Sequence, residues 1–247
     1  MELTVLGASG SYGAPPAGAC SGYLIEAGDT SVWLDCGNGT YPVLQEHLAV
    51  EDLTAVVITH LHPDHCVDLY GLHVHARYGI ERTDIPVYAP AGVRDALGTL
   101  VSNWGNTFAW HDVGDGDAVT INDLGLRFSR TDHPVSTLAV EARSAVARSV
   151  DRRLVYTSDT GPRWSVGEFG EGADLVLSEA SYLHADRPTA VHLSARQAGE
   201  DARAAGARRL MLTHLWPTTD PVAAVAEATE AFGDPVSLAA PHMVTRV

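Results

Sequence analysis

The stretch Thr59-His60-Leu61-His62-Pro63-Asp64-His65 decides the interpretation of this chain. Three histidines and one aspartate lie within six positions, directly after Ala55–Thr59, a continuous apolar run that predicts a strand buried on both faces. Loops that follow such strands are where functional sites are usually built. Imidazole and carboxylate are ligands that zinc favours where thiolates are absent. The loop therefore predicts a metal site, with ligands for one ion and for a second beside it.

Three further candidate ligands each follow an apolar run that predicts a strand. His133 follows Leu126–Arg130, Asp159 follows Leu154–Thr157 and Ser158, and His214 follows Arg209–Thr213. Taken singly, each has an ordinary explanation: a surface histidine, a turn aspartate, or a histidine satisfied in the core. Because the ends of neighbouring strands converge on one edge of a sheet, their shared position favours a common site.

Composition bounds the class of protein. The chain has 247 residues, 45% of them hydrophobic, and no linker or low-complexity tract divides it, so residues 1–247 are predicted to form one domain. The formal net charge is −15, and all 16 basic residues are arginine. Such strong negative charge opposes non-specific binding to nucleic acid.

Three features of the sequence favour a cytoplasmic location. The segment Met1–Leu6 has no basic region followed by a long apolar stretch, and no apolar run approaches the roughly 20 residues that a membrane helix needs. The cysteines Cys20, Cys36 and Cys66 form no C-x-x-C pair, which fits a reducing compartment. We therefore expect a cytoplasmic protein with no membrane partner.

Periodicity predicts strands and helices mixed through both halves of the chain. The predicted strands are Leu3–Leu6, Tyr23–Glu26, Val32–Asp35, Ala55–Thr59, Ala118–Ile121, Leu126–Arg130, Leu138–Ala142, Leu154–Thr157, Leu175–Ser178 and Arg209–Thr213. The predicted helices are Tyr41–Leu48, Asp64–Tyr78, Gly92–Trp104, Ser194–Ala205 and Val222–Phe232. The pattern indicates an α/β fold of two packed sheets covered by helices.

Several motifs resemble those of the metallo-β-lactamase superfamily and, within it, of ribonuclease Z and its short relatives. The H-x-H-x-D-H loop from His60 to His65 is the most specific of them. The other matching segments, spread from Met1 to about Trp216, are Leu3–Gly10, Leu34–Thr40, Ser158–Thr160, His192–Ala198 and Leu212–His214.

The resemblance implies a four-layer αββα sandwich, in which two packed mixed sheets are flanked by helices. It also implies two zinc ions per chain, although His and Asp ligands accept manganese or iron as well. The ligands implied for the first ion are His60, His62 and His133, those for the second are Asp64, His65 and His214, and Asp159 bridges both. Asp35 is expected to orient a ligand, and relatives of this kind are often homodimers.

The activity that the resemblance implies is phosphodiester hydrolysis by a metal-activated hydroxide, which Asp64 would orient. His192 lies outside the ligand sets, and it is expected to contact the phosphate or to protonate the leaving oxygen. Ser194 is better explained as a helix N-cap.

The chain departs from the tRNA-binding members of the family in one region. Those enzymes carry a long Gly/Pro-rich arm between the segments that match His133 and Asp159, whereas Pro134–Ser158 has room for about two strands and a turn. The arginines of this stretch (Arg143, Arg148, Arg152 and Arg153) are explained by a solvated hairpin. A small or cyclic phosphodiester is therefore the expected substrate. The alternatives are tRNA 3′-processing, or hydrolysis of a thioester, lactone or sulfate ester.

Overall fold

A computed structural model describes residues 1–101, 103–144, 152–186 and 191–247. Its strands are β1 (Glu2–Gly7), β2 (Gly22–Ala27), β3 (Thr30–Leu34), β4 (Ala55–Val57), β5 (Ile85–Ala89), β6 (Phe108–Asp112), β7 (Ala118–Ile121), β8 (Leu124–Arg130), β9 (Leu138–Ser144), β10 (Arg153–Tyr156), β11 (Leu175–Glu179), β12 (Leu210–Thr213), β13 (Ser237–Leu238) and β14 (Val244–Arg246). Its α-helices are α1 (Thr40–His47), α2 (Pro63–Cys66), α3 (Leu69–Tyr78), α4 (Val93–Gly98), α5 (Ala195–Ala204) and α6 (Pro221–Phe232).

The strands form two seven-stranded mixed sheets, one from each half of the chain. The first has the order β14-β1-β2-β3-β4-β5-β6, and the second has the order β13-β12-β11-β10-β9-β8-β7. In each sheet an antiparallel part is followed by a parallel part, which begins at the β3–β4 pair in the first sheet and at β10–β11 in the second. Only β14 crosses over, to close the edge of the first sheet beside β1.

Three apolar clusters separate four layers. One lies between the sheets and contains Tyr23, Leu34, Phe128 and Tyr156. A second packs α1, α3 and α4 on the outer face of the first sheet, around the buried Trp33. The third packs α5 and α6 on the outer face of the second sheet. The predicted αββα sandwich is therefore confirmed, and the interpretation of the chain as one domain stays a prediction.

The two long helices predicted in the first half are shorter or broken. The predicted Asp64–Tyr78 helix is divided into α2 and α3, because the joint is held from outside: Asp68 N donates to Cys36 O at 2.8 Å and Asp68 Oδ2 accepts from Tyr41 N at 2.8 Å. The predicted Gly92–Trp104 helix ends at Gly98. Beyond it the chain turns back, and the indole of Trp104 donates to Arg94 O.

The sequence predicted the second-half helices more closely. Ser194 caps α5, accepting from Gln197 N while the Gln197 side chain accepts from Ser194 N, so the predicted capping box is present. Asp220 caps α6 by accepting from Val222 N and Ala223 N, and Pro221 occupies its first turn. Strands β5, β6, β13 and β14 were not predicted.

Candidate metal centre

All seven predicted ligands meet where the two sheets abut. Leu138 N, at the start of β9, donates to Thr59 O, just beyond β4, so the loop that begins at His60 leaves from the seam between the sheets. The side-chain donor atoms fall into two groups. One comprises His60, His62, His133 and Asp159, and the other comprises Asp64, His65 and His214. His192 forms a further, overlapping group with Asp159 and His214.

In the first group the atoms that converge are two imidazole Nε2 atoms, one Nδ1 and a carboxylate oxygen. His62 Nδ1 lies 3.0 Å from His60 Nε2 and 3.5 Å from His133 Nε2. Asp159 Oδ2 lies 3.5 Å from His60 Nε2 and 3.9 Å from His133 Nε2. The buried carboxylate thus directs one oxygen at this group.

The other oxygen of Asp159 faces the second group. Asp159 Oδ1 lies 3.3 Å from His65 Nε2 and 3.5 Å from His214 Nε2. Asp64 Oδ2 completes the group, at 3.3 Å from His214 Nε2 and 3.6 Å from His65 Nε2. One carboxylate between two sets of donors is the geometry that a pair of metal ions needs.

These residues fit zinc. Ligand atoms bound about 2.0–2.1 Å from a tetrahedral zinc ion lie roughly 3.3 Å from one another, which is the spacing within both groups. Two of the atoms, His65 Nε2 and Asp159 Oδ1, are buried and have no hydrogen-bond partner among the described residues. Since buried polar atoms are rarely left unpaired, a cation between them accounts for both.

Buried hydrogen bonds hold the rings in place. Asp35 Oδ2 lies 2.8 Å from His65 Nδ1, so the expectation that Asp35 orients a ligand matches the geometry. Thr59 Oγ1 donates to Asp35 at 2.9 Å and accepts from His60 Nδ1 at 3.1 Å. His133 Nδ1 donates to Val191 O at 3.2 Å. In each case the outer nitrogen holds the proton, which leaves Nε2 free to bind a cation.

The backbone is strained around the same residues. Asp35, Ser158 and His214 have φ values of 58°, 50° and 57°, which non-glycine residues seldom adopt. Two glycines permit the close approach of the chain here. A Cβ on Gly37 would lie 2.1 Å from Asp64 O, and one on Gly10 would lie 2.6 Å from His214 O. Glycine at these two positions thus allows the backbone to approach the backbone of two ligand residues.

The electrostatic environment of the first group suits neutral imidazoles, whereas in the second group burial is outweighed by Asp159 and Asp35, which raise the pKa of His65 well above its usual value. Burial lowers the pKa of His60 to about 4, and burial also lowers the pKa of His62 and His133. Burial opposes the charge on Asp159, but the surrounding histidines outweigh it and hold the pKa of this carboxyl well below its usual range. Unprotonated imidazole and carboxylate are the forms that bind metal ions.

His192 stands beside both groups. Its ring centroid lies 5.2 Å from that of His133 and 5.5 Å from that of His214. His192 Nδ1 donates to Glu179 Oε1 at 2.9 Å, which leaves Nε2 free. Burial disfavours the charged imidazolium, but Glu179 outweighs burial and raises the pKa of His192 to about 9.

The sequence also matches a family model described as "Beta-lactamase superfamily domain" over residues 30–215. This range includes every residue of the two donor groups. The chain belongs to the beta-lactamase superfamily.

Relatives in this superfamily align along nearly the whole chain. A Mycobacterium leprae protein, ML1173, is 36% identical over 247 residues, which cover 96% of this chain and 85% of the relative. The probable metallo-hydrolase YhfI of Bacillus subtilis is 31% identical over 224 residues, covering 87% of each. The ribonuclease Z of Haloarcula marismortui is 28% identical over 304 aligned positions, covering all of this chain and 97% of the relative.

Solved structures show the same fold. The crystal structure of Bacillus subtilis YhfI superposes with a TM-score of 0.87 at 28% identity, covering 99% of this chain and 98% of that one. The short form of human tRNase Z superposes with a TM-score of 0.77 at 22% identity, covering 100% and 99%. With the donor groups above, this membership identifies the chain as a metal-dependent hydrolase.

The sequence analysis did not predict two buried residues that lie near the donor groups, Glu179 and Ser181. Ser181 Oγ donates to Glu179 Oε2 at 2.9 Å and lies 3.2 Å from His214 Nδ1. Glu179 is the last residue of the apolar strand β11. The rule that selected His133, Asp159 and His214, a polar residue at the end of an apolar strand, also selects Glu179.

Three further His and Cys side chains on or after the ligand loop belong to none of the donor groups among the described residues. His73 packs against Trp104, and His75 Nδ1 lies 2.7 Å from the hydroxyl of Tyr41. Cys66 is buried, and its thiol donates to His62 O.

The arginine-rich stretch makes ion pairs rather than an open basic surface. Arg143 and Arg153 contact the buried Glu141, and Arg152 contacts Asp174. Arg148 lies outside the described residues. None of the helices in the described part of the chain combines the length and the apolar character needed to cross a membrane.

Proposed function

We propose that this hydrolase is a dinuclear-zinc phosphodiesterase that acts on a small or cyclic phosphodiester. The observation that carries the proposal is His192: its ring lies against both donor groups, each of which is complete without it, although its ring also lies within reach of the donor atoms of Asp159 and His214. Hydrolysis of a phosphodiester expels an alkoxide that needs a proton. His192 would supply it from Nε2.

The side chains divide the work as follows. His60, His62 and His133 would hold one zinc ion, Asp64, His65 and His214 the other, and Asp159 both. When bound, the two ions would lower the pKa of a water molecule and neutralise charge on the phosphoryl oxygens.

Asp64 and His192 would handle the substrate and the proton. Asp64 Oδ2 accepts from Ser11 N at 2.9 Å, which fixes the carboxyl group so that it can orient the attacking water. His192 would donate its Nε2 proton to the leaving oxygen, while Glu179 stabilises the imidazolium from the other side.

Charge and size favour a small substrate. The formal net charge of −15 repels an extended polyanion. The segment between His133 and Asp159 has 25 residues, of which 11 belong to β9 and β10, so it is short. A small phosphodiester needs only the donor groups and His192.

A tRNA 3′-processing activity is the second candidate, because the ribonuclease Z relative aligns over all of this chain. Its alignment runs over 304 positions although the chain has 247 residues, so that relative carries insertions that this chain lacks. A thioester, lactone or sulfate ester is the third candidate, since the same pair of metal ions would polarise those substrates as well.

The deciding experiment compares substrates and variants in the presence of zinc. Bis(p-nitrophenyl) phosphate is assayed beside a thioester and a lactone, with wild type, His192→Ala and, as a matched control, the exposed His111→Ala. We expect turnover of bis(p-nitrophenyl) phosphate. With a cyclic nucleotide, whose leaving alkoxide needs a proton, we expect a fall in kcat of roughly 100- to 1,000-fold for His192→Ala, unchanged zinc content, and no effect of His111→Ala. Cyclic nucleotides and a tRNA precursor follow as substrates.

Two results would contradict the proposal. Turnover of only the thioester or the lactone by the zinc-loaded protein would overturn the phosphodiester assignment. A His192→Ala variant with wild-type turnover would show that this histidine neither contacts the phosphate nor donates the proton.

A further inference from the structure

Ser181 lies between His214, a proposed zinc ligand, and Glu179, which contacts His192. It is fully buried, two residues beyond the end of β11. Its Oγ lies 2.9 Å from Glu179 Oε2, 3.2 Å from His214 Nδ1 and 3.4 Å from His214 O. A buried hydroxyl with a carboxylate on one side and an imidazole on the other has its hydrogen bonds ordered by those neighbours.

The direction of these hydrogen bonds follows from donor and acceptor chemistry. Glu179 Oε2 and His214 O both only accept, and the single proton of Ser181 goes to the carboxylate, which is nearer, at 2.9 Å against 3.4 Å, and charged. The hydroxyl oxygen is then an acceptor toward His214, and the proton of that imidazole must lie on Nδ1. His214 Nε2 is then the nitrogen that faces Asp64 Oδ2 at 3.3 Å and Asp159 Oδ1 at 3.5 Å, and it is the nitrogen that zinc would bind in place of a proton.

The two oxygens of Glu179 contact different groups. Oε1 accepts from Thr160 N at 2.7 Å and from His192 Nδ1 at 2.9 Å. Oε2 accepts from Ser181. Both carboxylate oxygens of Glu179 are therefore held by hydrogen bonds. The carboxylate cannot rotate without breaking its contact with His192 or its contact with Ser181.

We propose that Ser181 is a positioning residue for the metal centre: it fixes the tautomer and the ring orientation of His214 and connects that histidine, through Glu179, to His192. The backbone of His214 has a left-handed φ of 57°, so no regular strand or helix geometry sets its side chain. The hydroxyl of Ser181 does. This inference rests on the proposed role of His214 as a zinc ligand, and not on the identity of the substrate.

The test measures zinc binding and not turnover. Wild type, Ser181→Ala and Ser181→Thr are titrated with zinc against a chromophoric chelator, and the ring nitrogens of His214 are followed by ¹⁵N NMR at saturating and at substoichiometric zinc. Ser178→Ala is the matched control, because Ser178 is also buried on β11 but its hydroxyl donates to a backbone oxygen, Glu179 O. Unfolding in urea checks that each variant is folded.

We expect Ser181→Ala to weaken the binding of one of the two zinc equivalents by 10- to 100-fold, the usual effect of removing a residue that supports a ligand. The other equivalent should bind as in wild type. The Nδ1–H tautomer of His214 should give way to a mixture. Ser181→Thr, which keeps the hydroxyl, should restore binding, and Ser178→Ala should bind zinc normally.

Unchanged zinc affinity and an unchanged His214 tautomer in Ser181→Ala would overturn the inference. Equal losses in a folded Ser181→Ala and a folded Ser181→Thr would also overturn it, because the hydroxyl would then not be the cause. A wild type that binds no second zinc equivalent would instead count against the proposed dinuclear centre.

Discussion

The buried side chain of Asp35 makes four contacts with hydrogen-bonding groups. Its Oδ2 accepts from the hydroxyl of Thr59 at 2.9 Å and from that of Tyr156 at 3.0 Å, and it lies 2.8 Å from His65 Nδ1. Its Oδ1 accepts from Thr59 N at 2.8 Å. Both oxygens thus face only hydrogen-bond donors. These donors belong to residues associated with both sheets.

Replacing Asp35 by Asn should therefore damage the metal centre, because the amide NH₂ must face a donor whichever way it turns. We expect Asp35→Asn to lower zinc affinity by 10- to 100-fold and to cost about 2 kcal/mol in the free energy of unfolding. Chelator competition and urea unfolding measure the two effects. The control is Asp174→Asn. Asp174 is also a buried carboxylate, but it accepts hydrogen bonds from arginines and lies at the end of β11 opposite to Glu179. Normal zinc affinity in Asp35→Asn would contradict the expectation.

Glu179 offers a test of the proton on His192. Since Glu179 raises the pKa of His192, this imidazole stays protonated to higher pH than an ordinary histidine. A proton donor loses activity as the pH rises through its pKa. Glu179→Gln removes the charge and lowers that pKa, so the alkaline limb of the profile of kcat/KM against pH should move to lower pH.

The comparison is made between zinc-loaded wild type and Glu179→Gln, so that the bound cations act on His192 in both. The same limb should be absent in His192→Ala. An alkaline limb that stays in place in Glu179→Gln would show that it belongs to another group.

At the scale of elements, the sequence predicted the strands that carry the centre and missed β5 and three of the four edge strands, β6, β13 and β14, whereas the edge strand β7 was predicted. The buried β4 and β11 are continuous apolar runs, and such runs are recognisable without knowledge of their neighbours. The edge strand β13 has two residues, and β6 ends in the exposed His111 and Asp112, so neither gives a periodic signal. Their pairing is decided by the rest of the sheet.

The same distinction applies to helices and to the site. The capping box of α5 is local, so sequence alone located that helix. The break at Asp68 depends on Cys36 and Tyr41, which lie far away in the sequence. Likewise, the strand-end histidines and aspartates were found by type and position, whereas Ser181 becomes functional only through its contact with His214.

Helix α5 contains a glycine whose role is the contact with α6. A Cβ on Gly199 would lie 2.6 Å from Ala228 O and 2.9 Å from Ala231 Cβ. Alanine is better than glycine in a helix by roughly 1 kcal/mol, but overpacking costs about 1–3 kcal/mol. Because a backbone oxygen cannot move aside easily, we expect the clash to prevail.

We therefore expect Gly199→Ala to lower the free energy of unfolding by about 1 kcal/mol, measured with urea. Its exposed neighbour Glu200→Ala should change stability by less than about 0.5 kcal/mol. A Gly199→Ala variant more stable than wild type would show that α5 and α6 separate readily.

At the scale of the whole molecule, the donor groups join the two sheets. Asp35, His60 and His65 follow strands of the first sheet, and His133, Asp159 and His214 follow strands of the second. Each proposed zinc ion would thus bind residues from both sheets. The same seam holds the hydrogen bond from Leu138 N to Thr59 O and that from Ser158 Oγ to Thr59 Oγ1.

Metal removal should consequently destabilise the entire fold rather than one loop. A ligand that binds only the folded protein stabilises it by about 4 kcal/mol when its concentration is about 1,000 times the dissociation constant. For a domain of this size that corresponds to a fall in Tm of roughly 10 °C on chelation. Calorimetry with zinc and with EDTA should show one transition in each case, shifted as a unit. His192→Ala should show the same shift as wild type, since it removes no zinc ligand, whereas His65→Ala should show a smaller shift. A Tm indifferent to both zinc and EDTA would mean that no metal ion joins the two sheets.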